Sequence, residues 1–172
     1  LGKRWAFAAF LLDFAKGIFP VLTAGLMIDA EHGREAIRIL AGTASILGHT
    51  FPVFLKFKGG KGVATTFGVI AAVALPAGIA AGLIWVILYL TTRTVSIASL
   101  AAGITLPIAT CFLDPPPPFS GRLVFAIAVA ALILIRHRKN IARILRGEEL
   151  TFKKKTKDEQ ISLEQLFSSM PP

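Results

Sequence analysis

Long, predominantly apolar runs constrain this chain more than any other feature. They cover residues 5–28, 36–55, 63–90, 95–113 and 119–135, with charged residues gathered between and after them. A run of about 20 apolar residues matches a hydrocarbon core roughly 30 Å thick. Hydrophobic residues make up 54% of the 172 positions and charged ones only 17%, too apolar for an ordinary soluble domain. The backbone cannot leave its polar groups unpaired in lipid, so such runs fold as helices. The expected fold is therefore all-α: a polytopic membrane helix bundle. One domain over residues 1–149 and a polar cytoplasmic tail over 150–172 account for the length.

The formal net charge of +9 raises the question of nucleic acid. No nucleic-acid-binding signature accompanies the basic residues, and their clustering at the ends of apolar runs is what cytoplasmic loops show. The lipid bilayer is the expected partner and nucleic acid is not. The lone Cys111 permits no internal disulfide and no CxxC site. His32, His49 and His137 are scattered without ligand spacing, so no metal is expected.

Charge also bears on the longest run. It has 28 residues, with Pro76 and Gly78 near its middle. One crossing there would put the nine Lys and Arg between Arg136 and Lys157 on the opposite side from Lys56, Lys58 and Lys61, against the positive-inside bias. A helical hairpin turning near Pro76 instead brings all but Lys16, Arg34, Arg38 and Arg122 of the 19 basic residues to the cytoplasm. That gives six spans. Each half of the hairpin would then be about 14 residues, or roughly 21 Å, short of a full core.

Three segments carry the polar chemistry. Gly48-His49-Thr50-Phe51-Pro52 leads to Lys56-Phe57-Lys58-Gly59-Gly60-Lys61-Gly62, and Val63 opens the next helix. Glycines allow close backbone approach, and a helix start offers free N–H groups to an anion. The Walker A pattern fails because Gly62 follows Lys61, and an ordinary loop with snorkelling lysines fits the composition as well. Arg136-His137-Arg138-Lys139-Asn140, running on to Arg143 and Gly147-Glu148-Glu149, forms the second. On a continuing helix, His137, Asn140 and either Arg143 or Ile141 share a face. It suits a phosphorylated ligand, or it is a basic stop after a final span. Asp13 and Lys16, one turn apart in the first run, are an ion pair or a catalytic pair. Arg93, Ser96 and Ser99 are weaker candidates, since serines at a helix start usually cap it.

Taken in order, LLDFAKG, GHTFPVFLKFKGGKGVAT, TVSIAS and RHRKNIARILRGEE resemble the bacterial PlsY family of acyl-phosphate:glycerol-3-phosphate acyltransferases. The likeness covers nearly all of residues 1–149, and the second segment is long and specific. It implies seven spans in the family, with an external N-terminus and a cytoplasmic active site at the bacterial inner membrane. The implied reaction moves an acyl group from acyl phosphate to the 1-hydroxyl of glycerol 3-phosphate, as a step of phospholipid synthesis. It yields 1-acylglycerol 3-phosphate and phosphate, with no coenzyme A, acyl carrier protein or other cofactor taking part directly. By the same resemblance Gly59, Gly60, Lys61 and Gly62 would bind phosphate, and the charge of Lys58 makes it a further candidate beside them. His137 and Asn140 would hold glycerol 3-phosphate beside Ser99, with Lys16, Arg93 and Glu149 in support; Ser96 and Arg138 are further candidates for substrate binding, and His137, Asn140, Lys61 and Ser99 are the candidates for catalysis. His137 or the donor's own phosphate oxygen would serve as base.

The family's first motif, Ser-Gly-Asn-x-Gly-x-Thr-Asn, falls before the position of Leu1. Together with the absence of an initial Met, this sets the expectation of a longer natural protein, and of an inactive chain if it truly began at Leu1. A transporter or channel for a small phosphorylated anion is the rival from another class, and a purely structural membrane subunit is a third. Acyl-chain preference, oligomeric state and the role of the tail stay open.

Overall fold

The computed structural model describes residues 3–27, 31–113 and 121–151. Within them the chain is helical: α1 (Lys3–Leu26), α2 (Glu31–Thr50), α3 (Val63–Val73), α4 (Leu75–Thr92), α5 (Val95–Leu113), α6 (Gly121–Arg136) and α7 (Arg138–Leu145), with a short 3-10 turn at Val53–Leu55. The expected all-α membrane bundle is observed. The end of the first run at Ile28, the turn at Asp114 and its prolines, the start of the last run at Phe119 and the tail from Phe152 lie outside the described residues.

Among the described residues, four stretches are long and apolar enough to cross a membrane: Arg4–Leu26, Gly33–Leu55, Leu75–Thr92 and Val95–Leu113. Their packing is that of a bundle in lipid. Large side chains such as Trp5, Phe7, Leu12, Phe19 and Phe112 face outward, while Ala74, Ala77, Ala81, Ala98, Ala102 and Ala126 fill the inside. Lipid tails are as apolar as leucine, so burying leucine between helices gains little there. Small residues let helix backbones approach and gain van der Waals contact instead. The crossing of α1 and α3 is the closest instance. A side chain at Gly17 would collide with the carbonyl oxygen of Thr65, and one at Gly68 with that of Phe14.

The 28-residue run breaks at Ala74, where φ is −145° and ψ is 70°. This is two residues ahead of Pro76, which belongs to the first turn of α4. The reason is that a first-turn residue has no intrahelical use for its N–H, so proline starts a helix without loss. The division is also unequal, with 11 residues in α3 and 18 in α4. Past the break the two helices lie side by side. Gly78 sits against Ile70, and Gly82 faces the ring of Phe67. Helix α3 packs on α1, α2, α4 and α6, and so occupies the middle of the bundle.

Candidate active site

The loop after α2 delivers its glycines and lysine to the face where α3 and α5 begin and α6 ends. Gly60 crosses the end of α2 so closely that a side chain there would strike the His49 ring. The carbonyls of Gly59 and Gly60 each accept a hydrogen bond from Arg136, at 3.0 and 3.1 Å, and the Arg136 guanidinium lies 5.2 Å from the centre of the Phe51 ring. The backbone of the loop is thereby tied to two helices. Gly62, at φ 81°, then leads into α3, whose N-terminus has no side-chain cap. Its first N–H groups have no intrahelical acceptor and carry the positive end of the helix dipole.

Helix α6 ends at Arg136 and the chain kinks at His137, with φ −99° and ψ 8°, before α7 resumes. The kink leaves His137, Asn140 and Arg143 on one wall, as the spacing predicted for an unbroken helix. Gly147, at φ 70°, then turns the chain back. The Glu148 N–H bonds to the Arg143 carbonyl at 2.8 Å and the Gly147 N–H to that of Ile144 at 3.0 Å, closing the end of α7 in a left-handed turn suited to glycine. Glu149 is swung inward by this turn. It accepts hydrogen bonds from Ser96 Oγ (2.6 Å), Asn140 Nδ2 (2.6 Å) and Arg143 Nε (2.7 Å). Asn140 Oδ1 in turn accepts one from Lys61 Nζ at 2.8 Å. One network therefore joins the glycine loop, α5, α7 and the segment after it.

These groups line a cavity of about 480 Å³, which also includes Asp13, His49, Val63, Ser99 and His137. His137 is 1% exposed. Its Nδ1 lies 2.8 Å from the Ile133 carbonyl oxygen. A carbonyl can only accept, so Nδ1 carries the proton, and in the neutral ring Nε2 is left with a lone pair. Burial pushes the imidazole below its ordinary 6.5, with Lys61 and Arg136 acting the same way, which favours that neutral ring. The Lys61 ammonium is likewise lowered, chiefly by desolvation. The Glu149 carboxyl is held at about 2, first by its bond to Arg143 and then by Ser96 and Asn140, so it is a fixed negative charge. A second, strongly basic cavity of about 360 Å³ adjoins the first through Lys61, Asn140 and Arg143. Arg136, Arg138 and Lys139 add to its wall.

The match to known proteins is decisive. The family model described as glycerol-3-phosphate acyltransferase matches residues 1–147. A glycerol-3-phosphate acyltransferase of Caulobacter vibrioides is 46% identical over 159 residues, 92% of this chain and 70% of that protein. One from Aquifex aeolicus is 41% identical over 152 residues, 88% of this chain and 76% of that protein. The chain belongs to the glycerol-3-phosphate acyltransferase family. Its fold agrees: the crystal structure of PlsY, an integral membrane glycerol 3-phosphate acyltransferase, in its glycerol 3-phosphate form superposes with a TM-score of 0.78 at 39% identity. That superposition covers 97% of this chain and 76% of the other. The lysophosphatidic acid form gives 0.77 at the same identity. Membership in an acyltransferase family tells against the anion-transporter alternative.

In this acyltransferase chain the sequence-predicted residues divide into three groups. Gly60, Lys61, Gly62, Ser96, Ser99, His137, Asn140 and Glu149 line the main cavity. Gly59 and Arg138 line the adjoining basic one. Lys58 and Arg93 are exposed and line neither. Lys16 pairs with Asp13 at 2.5 Å, and it is Asp13 that reaches the cavity wall, 3.5 Å from His49 Nδ1. Arg143, noted on the shared helix face but not among the predicted site residues, is central to the network. Trp85 gave no signal in the sequence, yet its Nε1 donates to Ser99 Oγ at 3.1 Å. An indole inside an apolar run reads as lipid-facing bulk, and only the packing of α4 on α5 reveals its polar partner.

Proposed function

We propose that the protein transfers an acyl group from acyl phosphate to the 1-hydroxyl of glycerol 3-phosphate, releasing 1-acylglycerol 3-phosphate and inorganic phosphate. The observation that carries this reading is the convergence at one cavity of an uncapped helix start, Lys61, Arg143 and a buried neutral His137 with a free Nε2 lone pair. Both substrates bear phosphate. The start of α3 with Gly59, Gly60, Lys61 and Gly62 receives the donor's phosphate, with Lys58 nearby at the loop surface. His137, Asn140 and the basic wall of Arg138 and Arg143 hold glycerol 3-phosphate. Lys16, Arg93, Ser96 and Glu149 support them, Glu149 by fixing Asn140 and Arg143 in place.

In this reading the substrate hydroxyl oxygen attacks the acyl carbonyl carbon. The bond from that carbon to the phosphate oxygen breaks, and phosphate departs with the electron pair. Catalysis is mainly positioning and charge stabilisation, because the leaving group is already good. The hydroxyl proton passes to His137 Nε2 or directly to the departing phosphate, two routes that His137→Gln separates. The bundle over residues 1–149 forms one domain with a cytoplasmic tail after it. It crosses the bacterial inner membrane six times, α3 and α4 making a hairpin, with the site on the cytoplasmic side. This topology keeps most of the basic residues inside.

Donor identity is tested with the full-length protein in lipid nanodiscs, offered glycerol 3-phosphate and one of palmitoyl phosphate, palmitoyl-coenzyme A or palmitoyl carrier protein. The expected result is turnover with palmitoyl phosphate alone, one phosphate appearing for each acyl group transferred. Turnover with a thioester and none with acyl phosphate would overturn the donor assignment.

A further inference from the structure

Ser99 stands at the junction of two cavities. It lines the polar one together with Lys61 and His137. It also lines a narrow apolar crevice of about 20 Å³ between α3, α4, α5 and α6, with Phe67, Ile70, Ala102, Leu106 and Ile133. Serine is 1% exposed here, yet its hydrogen bonding is half complete. The indole N–H of Trp85 has a hydrogen to give and no lone pair, so at 3.1 Å Ser99 Oγ is the acceptor. Ser99 keeps its own hydrogen. Several hydroxyls of this bundle give theirs to the carbonyl one turn back, as Thr43 does to Ile39, Ser45 to Ala41 and Thr110 to Leu106. Among the described residues Ser99 has Trp85 as its hydrogen-bond partner and no acceptor. A buried donor left without an acceptor is costly, and the open space beside it is the cavity.

We infer that Trp85 is a positioning residue, whose indole N–H holds the Ser99 oxygen so that the serine hydrogen is presented to the carbonyl oxygen of the acyl donor. This rests on the acyl-phosphate reading above. A fatty acyl phosphate has its carbonyl where its apolar chain meets its charged head, and Ser99 lies on the wall of a cavity that holds both Lys61 and His137 and the apolar Val63, Ala64, Val95 and Leu150. A hydroxyl fixed there stabilises the negative charge that develops on the carbonyl oxygen during attack. Trp85 is itself held. Its ring stacks on Tyr89 at 5.2 Å with planes 20° apart, and it packs against the hydrophobic core.

The test is a double-mutant cycle on the full-length protein in nanodiscs, reading kcat and the KM for glycerol 3-phosphate. Ser99→Ala should lower kcat about 100-fold, the scale of a lost oxyanion donor. Trp85→Phe should lower it about tenfold, the worth of one neutral hydrogen bond, with KM little changed. The double variant should be no worse than Ser99→Ala alone, because without the hydroxyl the indole has nothing to orient. A merely structural role for Trp85 would multiply the two losses, and that result overturns the inference. Replacing Trp85 with benzothienylalanine keeps the ring shape without the N–H, and guards against a folding defect in the phenylalanine variant. Wild-type kcat in that protein would also overturn it. Failure of the unaltered protein to use acyl phosphate would remove the functional reading and this inference together. Normal turnover with multiplying losses removes the inference alone.

Discussion

At the residue scale, His137 and Glu149 carry charge states set by opposite causes. Burial holds His137 below 6.5, so its neutral form, the one able to accept a proton, persists into mildly acidic solution. The acid limb of kcat/KM should therefore fall below pH 6.5, read from a pH–rate profile, and His137→Gln should abolish it. If His137 is the base, that variant should lose roughly 10²-fold or more in kcat. Near-normal turnover would pass the proton to the donor phosphate. Glu149 works through stability. Its folded carboxyl sits at about 2, below the ordinary 4.5. Stability from this group is thus fully present above 4.5 and is lost as pH falls toward 2. In thermal melts, the gap between the native protein and Glu149→Gln should narrow over that window. An unchanged gap would mean the Arg143 pairing contributes nothing. Lys61, His137 and Asn140 were legible in the sequence as candidates because they sit in short polar runs between or after apolar blocks. Trp85 and the approach of Asp13 to His49 were not, since each depends on contacts between helices distant in sequence.

At the scale of elements, the break in the long apolar run was legible, and its position was not. Charge balance and Pro76 pointed to a turn near the middle, whereas the helix divides at Ala74 because proline is accommodated in a first turn. The kink at His137 was also invisible, although the wall it builds kept the spacing read from the sequence. Close packing of α1 on α3 offers an element-scale prediction. Gly17→Leu should force the helices apart and cost on the order of 1–3 kcal/mol, since overpacked cores shift backbone and rotamers. Thermal unfolding in detergent measures this. Because α3 starts at Gly62 beside Lys61, activity should fall with it. A variant as stable and active as the native protein would mean the Gly17 contact is not retained in the membrane.

At the scale of the whole molecule, the account joins an inside-out bundle to a single polar face. Large apolar side chains meet lipid, small ones pack within, and the network around Glu149 links four segments at one end. Membrane character was legible from hydrophobic run length, whereas the assembly of α5 with α7 through Ser96 and Glu149 was not, being fixed by a turn at Gly147. If the proposed six crossings hold, cysteines replacing Lys58 and Arg34 in a Cys111→Ser background should face opposite sides. An impermeant maleimide applied to intact cells should label the second and spare the first, and the reverse would contradict that topology. The central claim, that the Gly- and Lys-rich helix start performs phosphate chemistry in acyl transfer, has its most direct test in one assay. The full-length protein in lipid is given palmitoyl phosphate and glycerol 3-phosphate, and 1-acylglycerol 3-phosphate and released phosphate are measured beside a Lys61→Ala control. The account predicts equimolar products from the native protein and loss of both in the folded variant. Undiminished turnover by Lys61→Ala, or no turnover by a folded native protein, would contradict it.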